Sequence, residues 1–205
     1  MRINNGSLTI VLLGDWNRLY SQPEWIAQHI FQEQEIEIAV NGQGTVFNVS
    51  YKKGDVIITP AQDKVVFAAM NLLESTLESI SSYVSNYLTR AVTPVLTAYG
   101  FNIDFADTDA SIFSEVIDGM ADANTLIESG YSIASTKISR SLEKEGRLIN
   151  IDFNVENGQL LIHFNEHYAD PGLNPIIEYT SLNAFIERCT QIVNALGYEI
   201  EGDEE

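Results

Sequence analysis

The hydrophobic positions change period several times along the chain, and each change marks an element. Residues 7–14 (S-L-T-I-V-L-L-G) form a short apolar run closed by Asp15 and Trp16, which predicts a buried strand. The run is near the length of a signal-peptide core. Only one Arg precedes it and no small-residue cleavage site follows, so a strand is the better reading. Ser21-Gln22-Pro23-Glu24 reads as a capping box with Pro in the first turn, opening a short helix that carries Trp25, Ile26 and Ile30. The period then drops to two. Residues 36–40, 46–51, 56–58 and 65–68 alternate between turns at 41–44, 52–55 and 60–63, which predicts an antiparallel meander. No strand–helix–strand alternation supports a parallel doubly wound sheet.

Helical spacing is longest from Leu72 to Tyr99, through Leu77, Ile80, Val84, Tyr87, Leu88, Val92 and Leu96. It predicts one helix over 71–99, capped by Asn71 and Glu74, kinked at Pro94 and ended by Gly100. Its opposite face carries Ser75, Ser79, Ser82 and Asn86, small side chains suited to solvent or to a second helix. Asp107-Thr108-Asp109 precede a helix over 110–128. A second meander follows over 131–142, 148–155 and 159–167, with turns at 144–146 and at Glu156-Asn157-Gly158. After a loop over 169–175, Leu182, Phe185, Cys189, Ile192, Val193 and Leu196 predict a last helix over 181–196, ended by Gly197.

The predicted fold class is therefore α+β. Antiparallel sheet meanders pack against a long central helix and a C-terminal helix, in one domain over residues 1–200, with a disordered acidic tail over 201–205. The halves echo each other, each ending in a Gly-aromatic exit: Ala98-Tyr99-Gly100-Phe101 beside Ala195-Leu196-Gly197-Tyr198. The echo raises an internal pseudo-repeat of about 1–105 and 106–200.

Charge changes the picture of partners. The formal net charge is −18. Residues 1–100 hold nine acids and six bases, whereas residues 101–205 hold twenty acids and five bases, a net of −15. Such a surface repels phosphate backbones and anionic bilayers, which argues against direct nucleic-acid or membrane binding and for a basic protein partner. Cys189 is the only cysteine and falls in the helical apolar pattern, as a small buried hydrophobe in a reducing cytoplasm.

Candidate chemistry is thin. His163-Phe164-Asn165-Glu166-His167 matches H-x-x-E-H, a zinc-peptidase pattern that needs a helix to bring both imidazoles to one ion. Here it continues a predicted strand, where residues four apart are separated by roughly 13 Å. Asp107, Asp109, Ser111 and Glu115 fall at calcium-loop positions, but Ile112 stands where Gly is required and Asp118 where a bidentate Glu is required. The D-x-D of Asp107 and Asp109 also suggests an aspartyl phosphatase nucleophile, without the parallel sheet or downstream elements that chemistry needs. Helix capping explains the pair better. Asn41-Gly42-Gln43-Gly44 lacks the Lys of a phosphate loop, and no G-x-S-x-G is present. Glu115, Asp118 and Asp122 share one helix stripe and, with Asp104, Asp107 and Asp109, compose a candidate acidic partner-binding patch.

The expectation is a non-catalytic cytoplasmic protein-binding module, such as an inhibitor, immunity-type protein, chaperone or assembly adaptor. It needs no cofactor and no metal, and its oligomeric state is open. Its contact residues are Asp107, Asp109, Glu115, Asp118 and Asp122. The alternatives are a small hydrolase or ligand-binding protein with a pocket between sheet and helices, using His163, Glu166 or His167, and a DNA-mimic inhibitor.

Overall fold

The computed structural model describes residues 1–43, 46–91, 95–110, 121–144, 147–169 and 177–201. Ten strands form one antiparallel sheet: β1 (Arg2–Ile3), β2 (Leu8–Asp15), β3 (Glu37–Gln43), β4 (Val46–Lys53), β5 (Val56–Pro60), β6 (Lys64–Ala69), β7 (Val95–Asp107), β8 (Ser135–Lys144), β9 (Arg147–Glu156) and β10 (Gln159–Ala169). Their order is β3-β4-β5-β6-β2-β7-β10-β9-β8, with β1 beside β7. β2 and β7 lie together at the centre, with a meander running outward on each side. A 3₁₀ turn (Arg18–Ser21) leads into α1 (Pro23–Trp25), which widens into a π-helix (Ile26–Phe31). The remaining helices among the described residues are α2 (Glu74–Arg90), α3 (Ala121–Glu128) and α4 (Tyr179–Ala195). The architecture is mixed α+β with a large antiparallel sheet, as the turn chemistry predicts.

Alternation along the strands divides the sheet into two faces. Leu8, Ile10 and Leu12 of β2, Phe101, Ile103 and Phe105 of β7, and Leu160, Ile162 and Phe164 of β10 are all buried. They join one hydrophobic cluster with Leu77, Ile80, Val84 and Tyr87 of α2 and Leu182, Phe185, Cys189 and Val193 of α4. The helices supplying this cluster therefore lie on one face. The other face carries Thr9, Asn102, Asp104, His163, Asn165, Asn150 and Asp152, and is polar. Tyr87 organises the aromatic part of the core. Its ring meets Trp16, Trp25 and Phe67 edge-on, with centroids 5.3, 5.4 and 5.8 Å away.

Several sequence-based boundaries are corrected. The helix expected over 71–99 ends at Arg90, and Val95 to Asp107 form β7 instead. A short apolar stretch cannot be assigned to helix or strand by periodicity alone, and Val95, Leu96 and Tyr99 happen to continue the three- and four-residue spacing of α2. Gly100 is accordingly no helix cap. It pairs with Val11 and His167 inside the sheet, where a Cβ would sit 3.1 Å from the Glu166 carbonyl oxygen. Asn71 does not cap α2 directly; its side chain accepts from the Leu73 N–H at 3.1 Å, and Leu73 stands at the N-cap. In place of the Ser21–Glu24 capping box, Gln22 stands at the N-cap of α1 without a side-chain bond, and Asn17 caps the preceding 3₁₀ turn by accepting from the Leu19 N–H. The small-residue face of α2 is partly used, since Asn86 donates to the Ile30 carbonyl at 3.1 Å.

Of the helix expected over 110–128, residues 121–128 are helical, Ala110 is not, and 111–120 lie outside the described residues. Pro94 and residues 202–205 of the expected tail lie outside them as well. Glu201 is tied in place, donating its N–H to the Met1 carbonyl at 2.8 Å. Among the described residues no helix is long and apolar enough to cross a membrane.

Candidate functional site

Two polar constellations stand out, one on each face of β10. The first is a ladder across the open face. Register places Thr9, Asn102, Asn165, Asn150 and Ser141 side by side on five adjacent strands. Their side chains form one directed chain of hydrogen bonds. The Ser141 hydroxyl donates to Asn150 at 2.8 Å, Asn150 to Asn165 at 3.3 Å, Asn165 to Asn102 at 2.8 Å, and Asn102 to the Thr9 hydroxyl at 3.1 Å. Two residues along the strands lies a charged row. His163 Nδ1 is 2.6 Å from Asp104 Oδ1, and Asp152 pairs with Lys137 at 2.7 Å and accepts from the Ser139 hydroxyl at 2.6 Å. These groups close on one another in pairs rather than converging on a cavity.

The Asp104 carboxylate raises the His163 pKa above its ordinary value through their hydrogen bond, against a smaller lowering by desolvation. The hydrogen bonds from Lys137 and Ser139 lower that of Asp152. A raised imidazole pKa stabilises the folded state fully below the unfolded value, near 6.5, and that contribution disappears as pH rises through the folded value. The midpoint of thermal unfolding is therefore expected to fall slightly as pH climbs upward from about 6.5, and His163→Gln should flatten that part of the profile. NMR titration of the imidazole checks the cause. A midpoint at or below the free value in the intact protein would remove the Asp104 interaction as its source.

The second constellation is buried. Glu166 alternates onto the helix face and is 0% exposed. Arg188 of α4 donates to its Oε2 from Nη2 at 2.6 Å and from Nε at 3.2 Å, and the Tyr168 hydroxyl donates to Oε1. The Tyr168 ring stacks on Tyr99, its cross-strand partner, with centroids 4.5 Å apart and planes within 6°. Burial, and then the bond to Glu166, push the Tyr168 phenol above its ordinary range. Burial does the same to the Cys189 thiol, which behaves as the small hydrophobe its position predicts.

The H-x-x-E-H segment is β10, a strand, as its turn context predicts. His163 and His167 share the open face while Glu166 points the opposite way, bound to Arg188. The three side chains cannot meet at one ion. Among the described residues no group of three or more His, Cys, Asp or Glu side chains is placed to hold a metal.

The predicted acidic patch is dispersed where it is described. Asp104 is committed to His163. Asp107 ends β7, lies 3.2 Å from the Met1 ammonium and accepts from the Asp109 N–H at 2.9 Å. Glu115 and Asp118 lie outside the described residues, and Asp122 belongs to α3. Sequence reasoning missed the Glu166–Arg188–Tyr168 cluster, although its signal was present. Glu166 continues the buried phase of Leu160, Ile162 and Phe164, and Arg188 follows Phe185 by three residues on the apolar side of α4. No protein-family model matches the chain, and no curated protein matches it either.

Proposed function

We propose that the protein is a non-catalytic, cytoplasmic protein-binding module that accepts a segment of a basic partner as an added strand along β3. The observation that carries this reading is the state of that edge. β3 ends the sheet, and Ile38 and Val40 on it are 51% and 61% exposed. Of its residues Glu37 to Gln43, Glu37 alone is charged. The opposite edge, β8, carries Lys137, Arg140, Glu143 and Lys144, the kind of charge that keeps an edge strand from pairing. An edge with a single charge at one end and β-branched side chains is suited to strand addition, in which main-chain bonds supply affinity and alternate side chains supply selection. The net charge of −15 over residues 101–205 supports a basic partner, drawn in by the long-range field. Asp109, Glu115, Asp118 and Asp122 remain the proposed source of that attraction, whereas Asp107 already serves the Met1 ammonium.

We further infer that the chain consists of two similar halves. On both sides of the β2–β7 seam the strand order runs outward through a meander that ends beside the central strand. This supports a division between α2 and β7 rather than near residue 105.

The test is affinity capture from the native host with three baits: wild type, Ile38→Lys/Val40→Lys, and a charge reversal of Asp109, Glu115, Asp118 and Asp122. The edge variant is expected to lose the captured protein while keeping its fold, since both side chains are already exposed. The charge-reversed bait should capture less, with a reduced salt dependence. Capture that ignores both sets of substitutions would sink the proposal.

A further inference from the structure

We propose that the groove between α4 and the ends of β8 and β9 at Lys144 and Arg147 is a binding site for an apolar-tailed carboxylate. The site is independent of the β3 edge and lies on the helix-bearing face of the sheet. It encloses ≈ 560 Å³, inside the range of roughly 300–1,000 Å³ typical of small-ligand sites. Leu142, Ile149, Ile192 and Ala195 form its apolar wall. Leu142 stands 41% exposed, an aliphatic side chain left without cover.

Strand alternation sorts the charges around this wall. Lys144 and Arg147 pair with each other across the hairpin, in the phase of the Leu142–Ile149 pair, and so turn toward α4. Glu143 lies in the opposite phase but still borders the groove, so one carboxylate stands among the bases there. Arg188 and Gln191 add polar groups to the lining from α4. A half-chain of net charge −15 thus gathers three of its five bases, against the single acid Glu143, around one apolar groove, a local excess of positive charge complementary to an anion that carries a hydrocarbon body.

Arg188 supplies the orienting contact. Its Nε and Nη2 are both committed to Glu166 Oε2, and Nη1 has no hydrogen-bond partner among the described residues. The side chain is 24% exposed and lines the groove, whereas Glu166 behind it is fully buried. A guanidinium fixed from behind by a buried carboxylate keeps a donor free for an incoming carboxylate, at little further ordering cost. Positioning also gives the buried pair a role, since an ion pair of this kind adds little stability over apolar side chains of equal volume.

The experiment titrates dodecanoate, below its micelle concentration, into the full chain and follows it by calorimetry, with dodecylamine as the charge control. One saturable dodecanoate site is expected, with dodecylamine weaker by roughly tenfold or more. Lys144→Glu/Arg147→Glu changes two exposed side chains and is expected to cut dodecanoate affinity by about tenfold. Ala195→Trp fills the groove from an exposed position and should abolish binding. Ile38→Lys/Val40→Lys should leave it unchanged, which separates this site from the β3 reading. Three results would each overturn the proposal: no saturable dodecanoate binding, equal binding of the amine, or affinity indifferent to both groove variants. Tight binding of an acidic amphipathic peptide that dodecanoate cannot displace would assign the groove to a protein segment and overturn it as well.

Discussion

Arg188→Ala is expected to lower unfolding free energy by about 3–5 kcal/mol, read from the midpoint of a urea transition at constant slope. The cost does not come from the salt bridge as an attractive contact. It comes from Glu166, which is 0% exposed and would be left with Tyr168 as its single remaining side-chain partner. A carboxylate stranded in the core must take up a proton or find water by opening the packing of α4 against β10, and either route costs stability. The double variant Glu166→Leu/Arg188→Met removes both charges and refills the space. It should recover most of the loss, to within about 1–2 kcal/mol of the parent. A cycle in which Arg188→Ala costs under about 1 kcal/mol would mean that water reaches Glu166 freely.

The second large effect lies at the other end of the core. Tyr87→Ala should cost about 3–5 kcal/mol, because the ring is fully buried and meets Trp16, Trp25 and Phe67 at once. Its hydroxyl donates to the Tyr20 carbonyl at 3.3 Å, a long bond, so Tyr87→Phe should cost only about 0.5–1.5 kcal/mol. The contrast separates ring packing from hydrogen bonding. Near-UV circular dichroism adds a structural check, since loss of the ring should change the Trp16 and Trp25 environments. Equal losses for the two variants would place the energy in the hydroxyl and not in the aromatic cluster. Burial raises the Tyr87 phenol well above its ordinary range, so it should not ionise before the protein unfolds in alkali.

The elements that the sequence announced clearly are those whose signals are local. Glu156-Asn157-Gly158 places the β9–β10 turn, with Asn157 and Gly158 both at positive φ as such a turn requires. Gly197, also at positive φ, closes α4. The errors arose where tertiary context decides. Leu96 and Tyr99 continue the spacing of α2 only by coincidence, because a few apolar residues fit either period and pairing with β2 and β10 decides for strand. The H-x-x-E-H pattern was readable as strand from its hairpin, and the parity of Glu166 was readable with it. Its partner was not. Arg188 is 22 residues away, and nothing in the sequence says which helix covers β10. The groove beside it is further from reach still, since it depends on where α4 ends relative to Lys144 of β8 and Arg147 of β9.

The central pairing has a consequence for how the chain reaches its native state. The Asn102–Thr9 bond joins positions 93 residues apart, while each outer meander pairs strands that follow one another in the chain. Hairpins close within roughly microseconds, but a long loop surrenders entropy before any contact rewards it. The two arms are therefore able to assemble early and independently, and the join between them sets the pace of refolding. Until that join forms, the apolar sides of two long strands lie unmatched, and concentration decides whether they find each other or a neighbouring molecule.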